Sequence, residues 1–270
     1  MRILDSRRLT GPSLLLDGPG AILDVSLSGL DPDAAIAAWR GSLGLLLDAV
    51  GWGGAKRVGR AYPGGVLLAF EAPMDALYAA TEVNEAAWHE AARALGGGET
   101  AREHGHDPHD PDLESADGDG DEPPDPYATV ARLRDEIARE RNPALVALAT
   151  EAARRNLTLL ADDRRVSVGL GKSSRVWPTE ETGSVAARIP WSELGDIPLA
   201  LITGTNGKTT TARLLDAIAR AAGLTAGVTT TDRVTVGDEV VAEGDYSGPN
   251  GARTVLRDRR VELAVLEVAR

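Results

Sequence analysis

The chain has 270 residues, of which 43% are hydrophobic and 26% are charged, and its formal net charge is −12. This composition is typical of a globular protein with one large or two modest domains, and the acidic balance argues against general binding to nucleic acid or to a membrane surface. The chain contains no cysteine, which excludes disulfides and thiol chemistry. Because it lacks a signal-peptide core and any apolar run of transmembrane length, we expect a cytoplasmic protein.

Residues 1–96 are predicted to form a small N-terminal α/β or α+β domain. The predicted strands are Arg2–Leu9, Ala21–Leu27 and Gly65–Glu71, and the predicted helices are Asp31–Val50 and Ala76–Leu95. Asp31 followed by Pro32 is typical of a helix N-cap with proline at the first helical position. We expect Trp39, Trp52 and Trp88 to lie in the core or at an interface. No residue of this domain indicates chemistry.

Residues 97–126 read as a disordered acidic linker, because almost no apolar residue is present to offset the entropy of ordering. His104, His106 and His109 leave a metal site open as an alternative to a solvated tether. Asp117–Asp121 resembles a calcium loop, but the required glycine and closing glutamate are replaced by Glu122 and Ala128.

Residues 127–197 are predicted to connect this linker to a third region. Helix is expected over Tyr127–Asn156 with a break at Asn142-Pro143, followed by strands over Leu157–Leu160 and Arg165–Val168. The run Gly169-Leu-Gly-Lys-Ser-Ser-Arg175 has two interpretations. It either contacts a phosphate or forms a β-turn with solvated basic residues, and we favour the turn.

The third region, residues 198–270, is predicted to form a parallel βαβ unit followed by a hairpin. The predicted strands are Leu199–Thr203, Ala226–Thr230, Arg233–Val236, Glu239–Ala242 and Val261–Val268. The intervening helix opens at Lys208 and ends before Gly223. Its apolar stripe is expected to comprise Leu214, Leu215, Ile218 and Ala222.

The first strand of this region runs into Thr-Gly-Thr-Asn-Gly-Lys-Thr-Thr, which ends at Thr210. A strand, a glycine turn and a helix opening on Lys-Thr favour phosphate binding, because backbone N–H groups and the helix dipole both attract an anion. Lys208 supplies a charge for the outer phosphates and the Thr209 hydroxyl is placed to hold Mg²⁺. The general phosphate-loop pattern requires glycine where this chain has Ile202, so the loop is a variant. The candidate nucleotide-binding residues are Gly204, Thr205, Asn206, Gly207, Lys208, Thr209 and Thr210, and Lys208 is also the candidate catalytic residue.

Two further groups can carry chemistry in this region. Glu267 ends an apolar strand, where a carboxylate beside a phosphate loop would hold Mg²⁺ together with Thr209. A solvent-facing acid is the alternative. Thr229-Thr-Thr-Asp232 ends a parallel strand on the side where ligands bind in such sheets, and strand-end capping explains it equally well.

The variant loop resembles the nucleotide loop of the Mur ligase family. The opening residues, Met1–Pro12, and the run Gly244–Arg253 resemble cyanophycin synthetases, which carry a Mur ligase module, and Leu266–Arg270 is similar to the family segment whose Glu binds Mg²⁺. The Gly169–Lys172 run resembles a segment of the ATP-grasp domain that precedes this module, which implies a remnant between Ala144 and Glu180.

The resemblance implies an ATP-dependent carbon–nitrogen ligase that uses ATP and Mg²⁺ to join a carboxylate to an amino acid or other amine through an acyl phosphate. Because the sequence stops inside the Mur ligase central domain, we expect an incomplete sheet with an unprotected edge after the final strand. The alternative is a nucleotide-binding or assembly module without turnover of its own, as a homo-oligomer or with a partner chain that completes the site. A phosphate-loop kinase or ATPase is disfavoured by the Mur-like loop.

Overall fold

The computed structural model describes residues 1–96, 126–185 and 188–268. They divide into two compact units, Met1–Asn142 and Pro143–Arg270. Residues 97–125 of the predicted acidic linker, with the histidine cluster and Asp117–Asp121, lie outside the described residues, so the linker and the alternative of a histidine metal site stay predictions.

The first unit is a four-stranded antiparallel sheet with strand order β1-β2-β4-β3 and two long helices. Its elements are β1 Arg2–Leu9, β2 Gly20–Ser26, α1 Pro32–Val50, β3 Arg57–Tyr62, β4 Gly65–Glu71 and α2 Leu77–Ala94. The three predicted strands and both predicted helices are confirmed to within one residue at each end. β3 was not predicted, because it is an edge strand whose two arginines, one glycine and intermediate burial hide the alternation of a strand.

The core of the first unit lies between the sheet and its helices. Trp39, Trp88 and Phe70 are fully buried there, which confirms that Trp39 and Trp88 are core residues. Trp52 is half-buried and packs against the same cluster. Asn84 is also fully buried. Its amide accepts the Trp39 indole N–H at 2.9 Å and donates to a backbone carbonyl of β4 at 3.0 Å.

A third helix, α3 (Pro126–Glu140), packs on α1 and α2. Leu133 lies in their shared core, and Glu140 accepts hydrogen bonds from the backbone N–H groups of Tyr78 and Ala79, each at 2.9 Å. A carboxylate is favourable at this position because it meets the unpaired N–H groups and positive dipole end of α2. The predicted break before Pro143 is confirmed.

The second unit begins with α4 (Pro143–Arg154) and a three-stranded antiparallel sheet, followed by a five-stranded mixed sheet with order β11-β10-β9-β12-β8. The small sheet comprises β5 Leu159–Ala161, β6 Arg165–Val168 and β7 Arg175–Pro178, followed by a short helix, α5 Thr182–Val185. The large sheet comprises β8 Leu199–Ile202, β9 Ala226–Thr229, β10 Arg233–Val236, β11 Glu239–Glu243 and β12 Leu263–Glu267, with helices α6 Lys208–Ala221 and α7 Pro249–Leu256.

Strand order in the large sheet corrects one expectation. β12 lies between β8 and β9 and is parallel to both, whereas β10 and β11 are antiparallel. The sheet is therefore mixed rather than mostly parallel. The final strand is an inner strand, and the edges are β8 and β11. The unprotected edge is thus not at the strand that ends the described chain.

Helix α6 packs on one face of the large sheet and α7 on the other. The predicted apolar stripe of α6 is wrong: Leu214 and Ile218 are about 60% exposed, at 59% and 63%. The buried residues are Ala212, Ala219 and Asp216, with Leu215 half-buried beside them. Small side chains bring the helix close to the sheet, so alanine rather than leucine marks the packed face.

Candidate functional site

The loop between β8 and α6 has the backbone geometry that its glycines predict. Gly204 has a φ of 151°, and Gly207, the residue just before the helix, has a φ of 78°. Both values are unfavourable for residues that carry a Cβ atom. Among the described residues no side chain caps the start of α6, so the N–H groups of its first turn face the loop without a side-chain acceptor.

Lys208 is the first residue of α6 and folds back over the loop. Its Nζ donates a hydrogen bond to the carbonyl oxygen of Gly204 at 3.1 Å, in a partly buried position. The ammonium group therefore lies over the candidate phosphate-binding turn.

Thr209 and Glu267 meet at the same end of the sheet. The Thr209 hydroxyl donates to Glu267 Oε2 at 2.9 Å, and Glu267 is only 2% exposed. The solvent-facing alternative for Glu267 is therefore wrong. The sheet register explains the meeting, since Glu267 is paired with Ile202, the last residue of β8 before the loop.

The Thr229–Asp232 run begins at the last residue of β9, which pairs with Leu266 beside Glu267. The Thr230 hydroxyl donates to Asp232 Oδ1 and accepts from the N–H of Arg233. Asp232 also accepts from Arg213 Nη2 at 2.9 Å and from Arg233 Nε at 3.1 Å. The Thr230 hydrogen bond and the two arginines lower the pKa of Asp232. These contacts favour the capping interpretation and add Arg213, which ties α6 to the strand end. A lone arginine on a helix gave no signal for this role in the sequence.

The second glycine–lysine run, Gly169–Lys172, is engaged in structural contacts. Gly171–Ser173 forms a single 3₁₀ turn, and Lys172 Nζ donates to Glu262 Oε1 at 3.0 Å. Glu262 also accepts from the N–H of Thr225 at 3.0 Å, and this hydrogen bond together with Lys172 lowers the pKa of Glu262. The favoured interpretation, a turn without phosphate, agrees with these contacts.

The donor set at the loop fits a magnesium nucleotide. Backbone N–H groups and Lys208 are complementary to phosphate, and the Thr209 hydroxyl and Glu267 carboxylate offer the oxygen ligands that Mg²⁺ prefers. Throughout the described ranges, no three His, Asp or Glu side chains cluster as a metal cage. A cation here would therefore use this pair together with phosphate oxygens and water, which is how Mg²⁺ usually binds at phosphate sites. None of the helices in the described parts of the chain has both the length and the apolar character needed to cross a membrane.

Comparison with known proteins supports the resemblance that the loop suggested. Residues 202–270 match the family model of the Mur ligase middle domain. Cyanophycin synthetase from Trichormus variabilis is 47% identical over 94 residues, which cover 34% of this chain and 10% of that protein. The cyanophycin synthetases of Synechocystis sp. and Geminocystis herdmanii are 53% and 54% identical over 74 residues, or 27% of this chain and 8% of each relative.

The chain thus spans about a tenth of the length of the curated relatives that it matches. The variant loop, the buried Glu267 and the family match fall in one stretch of chain. Residues 202–270 are similar to the Mur ligase middle domain, and the chain, whose described residues form a mixed α/β structure with several sheets, is similar in part to cyanophycin synthetases.

Proposed function

We propose that this chain supplies the nucleotide-binding part of an ATP-dependent ligase that joins a carboxylate to an amine. The observation that carries the proposal is the hydrogen bond between Thr209 and the buried Glu267 at the start of α6. This hydroxyl and carboxylate, derived from residues far apart in sequence, converge beside a glycine loop and a lysine. A buried acid is costly unless it has partners, so its position beside the loop favours a cation-binding role over a structural one.

The loop and Glu267 supply three kinds of group in this proposal. Backbone N–H groups from Gly204 to Thr210, including those of Thr205, Asn206 and Gly207, bind phosphate oxygens. Lys208 releases the Gly204 carbonyl and neutralises charge on the transferring phosphoryl group. Thr209 and Glu267 would hold Mg²⁺, which supplies charge stabilisation to the phosphates.

The reaction follows the chemistry of phosphoryl and acyl transfer. A carboxylate oxygen of the substrate attacks the γ-phosphorus of ATP, the bond to the β–γ bridging oxygen breaks, and ADP leaves with that electron pair. The resulting acyl phosphate is attacked at its carbonyl carbon by the amine. The carbon–oxygen bond to phosphate then breaks, and the amine loses one proton as the amide forms. Lys208 acts in the first step, where charge develops on the transferring group.

A second candidate is a nucleotide-binding or assembly module that has no turnover by itself. The observation that favours it is that the family match covers residues 202–270, the stretch that carries the loop, Lys208 and Glu267. The two candidates share the nucleotide site and differ in whether ADP, phosphate and amide are released. Incubation with ATP, Mg²⁺ and a panel of amino acids, followed by assay of phosphate and amide, distinguishes them.

The nucleotide site is tested by isothermal titration of ATP in the presence of Mg²⁺ with two matched variants. Lys208→Ala removes the lysine of the proposed loop, and Lys172→Ala removes the lysine of the other glycine–lysine run, which pairs with Glu262. We expect Lys208→Ala to weaken ATP binding at least tenfold and Lys172→Ala to leave it within twofold of the wild type. Equal ATP affinity in Lys208→Ala and the wild type would refute the assignment of the loop.

A further inference from the structure

Helix α3 supplies charged groups that the ends of α1 and α2 lack. α1 has no basic residue in its last turn, and α2 has neither an acidic residue in its first turn nor a side chain that caps its start. Arg134 of α3 donates two hydrogen bonds, at 3.1 and 2.6 Å, to the carbonyl oxygen of Ala49 in the last turn of α1. Glu140 accepts from the N–H groups of Tyr78 and Ala79 in the first turn of α2. Both charges have the sign that the helix dipole favours at that end, so α3 caps each of its two neighbours.

The apolar attachment of α3 is small by comparison. Among its described side chains only Leu133 and Ile137 are buried, whereas α2 buries ten residues. The hydrogen bonds of Arg134 are exposed to solvent, as is the ion pair between Arg132 and Glu82 at 3.0 Å. Salt weakens exposed charge contacts and interactions with helix dipoles. We therefore expect salt to loosen α3 without loosening the core of the first unit.

The docked position of α3 leaves one buried oxygen without a donor. Asp75 is 3% exposed, and its Oδ2 accepts from Arg141 Nε and from the N–H of Asn142, each at 2.9 Å. Its buried Oδ1 has no hydrogen-bond partner among the described residues. A buried carboxylate oxygen without a donor costs free energy. Because Arg141 and Asn142 continue directly from α3, their departure with the helix would open Asp75 to water and remove that cost.

We propose that residues 126–142 form a strap that opens as one unit while the sheet, α1 and α2 stay folded, and that its charged caps hold it closed. A helix of 15 residues is marginal by itself in water, so α3 unfolds as it leaves. Opening exposes the N–H groups of Tyr78 and Ala79 to water and uncovers Trp52, which packs against the cluster that contains Ile137. Such local openings occur in folded proteins below the free energy of global unfolding. The inference concerns the first unit alone and is independent of the proposed function.

Native-state hydrogen exchange, measured for each residue by NMR on the whole chain, tests the strap. The N–H groups of Tyr78 and Ala79 report its opening because their acceptor is Glu140. Val83, a buried residue further along α2, reports unfolding of that helix. We expect the protection factors of Tyr78, Ala79 and the α3 amides to agree with one another and to be about tenfold or more below that of Val83. Raising NaCl from about 0.1 M to about 1 M should lower them about threefold and leave Val83 unchanged.

Two arginine variants of α3 form a matched pair. Arg134→Gln removes the cap on α1 and should lower the protection of Tyr78 and Ala79 about threefold, although its contact is with the other helix. Arg139→Gln removes an arginine that pairs with Glu136 within α3 at 2.9 Å, and it should leave that protection unchanged. Both variants replace the same residue type on the same helix, so the change in helix propensity is matched. The salt comparison uses the wild type, so it tests the strap even if a variant fails to fold.

Three results would overturn the proposal. The first is equal protection of the α3 amides and Val83, which would mean that α3 unfolds only together with the whole unit. The second is an equal response to salt at Tyr78 and Val83, since the charged caps would then not be what holds the strap. The third is an equal effect of the two arginine variants on the amides of Tyr78 and Ala79.

Discussion

The hydrogen bond between Thr209 and Glu267 predicts that Thr209→Val destabilises the second unit even without nucleotide. Valine has nearly the shape of threonine but no hydroxyl, so the substitution removes the donor at 2.9 Å from Glu267 Oε2 and leaves the packing in place. Glu267 is 2% exposed, so water does not readily replace the lost donor. Valine and threonine have similar helix propensities, so the change in helix propensity is small.

The expected magnitude follows from the charge of the acceptor. A hydrogen bond to a charged group contributes about 1.5–3 kcal/mol, compared with about 1 kcal/mol for a neutral pair. Because the free energy of unfolding falls by about 1–3 kcal/mol per molar urea, the urea concentration at the unfolding midpoint of the second unit should fall by roughly 1 M. The neighbouring variant Thr210→Val is the matched control. Thr210 is exposed in the same first turn of α6, and its variant should unfold within about 0.5 kcal/mol of the wild type.

Unfolding in urea, followed by backbone circular dichroism and by tryptophan fluorescence, measures the stability difference. A second titration measures ATP affinity with and without Mg²⁺. The factor by which Mg²⁺ raises ATP affinity should be at least ten times smaller in Thr209→Val than in Thr210→Val. The reason is that the Thr209 hydroxyl is one of the two oxygen ligands proposed for the cation. Equal urea midpoints for the two variants would refute the stabilising role of the hydrogen bond. An equal effect of Mg²⁺ would refute the cation role of Thr209.

Three further predictions concern the fold. Gly227→Ala should cost about 1–3 kcal/mol in urea unfolding, because its Cβ would lie 2.5 and 2.7 Å from two valine side chains, whereas Gly195→Ala, whose Cβ finds ordinary contacts of 3.5 Å, should be close to neutral. Asn84→Ala should lower the free energy of unfolding by about 2–5 kcal/mol, since it leaves the buried Trp39 N–H without an acceptor. A smaller loss measured by calorimetry would mean that water replaces the amide. Glu262→Gln should lower the free energy of unfolding at pH 7, and this difference from the wild type should disappear as the pH falls below 4.5. The reason is that the folded-state pKa of Glu262 lies below its ordinary value of 4.5, so the ionised carboxylate stabilises the fold above this pH and no longer does so once it is protonated in the folded state. A difference in unfolding midpoints that does not change with pH would contradict this prediction.

Local signals in the sequence predicted the elements that depend on a few neighbouring residues. The glycine turn before Lys208 sets the start of α6 because only glycine adopts the positive φ of Gly207 easily. Pro143 likewise fixes the break between α3 and α4. These features require no knowledge of the rest of the chain.

The features that the sequence did not predict depend on distant partners. The packed face of α6 was assigned to its leucines, yet the helix lies against the sheet through Ala212 and Ala219. The choice depends on how closely α6 approaches β9 and β12, which the helix sequence does not encode. α7 was missed because Pro249–Leu256 is short and contains a glycine, and its stability derives from packing on β9 and β10.

The candidate site depends on which side chains of β12 lie on the α6 face of the sheet. Val265 packs on the α6 face of the sheet, whereas Ala264 and Leu266 pack on the opposite face. Side chains alternate along a strand, so Glu267 returns to the α6 face two residues after Val265 and meets Thr209 in the first turn of that helix. A slip of one residue in β12 would place Leu266 beside Thr209 and turn the carboxylate toward the α7 side. Pairing with β8 on one side and β9 on the other fixes the register against such a slip, so the order of strands in the sheet is itself what positions the candidate metal ligand.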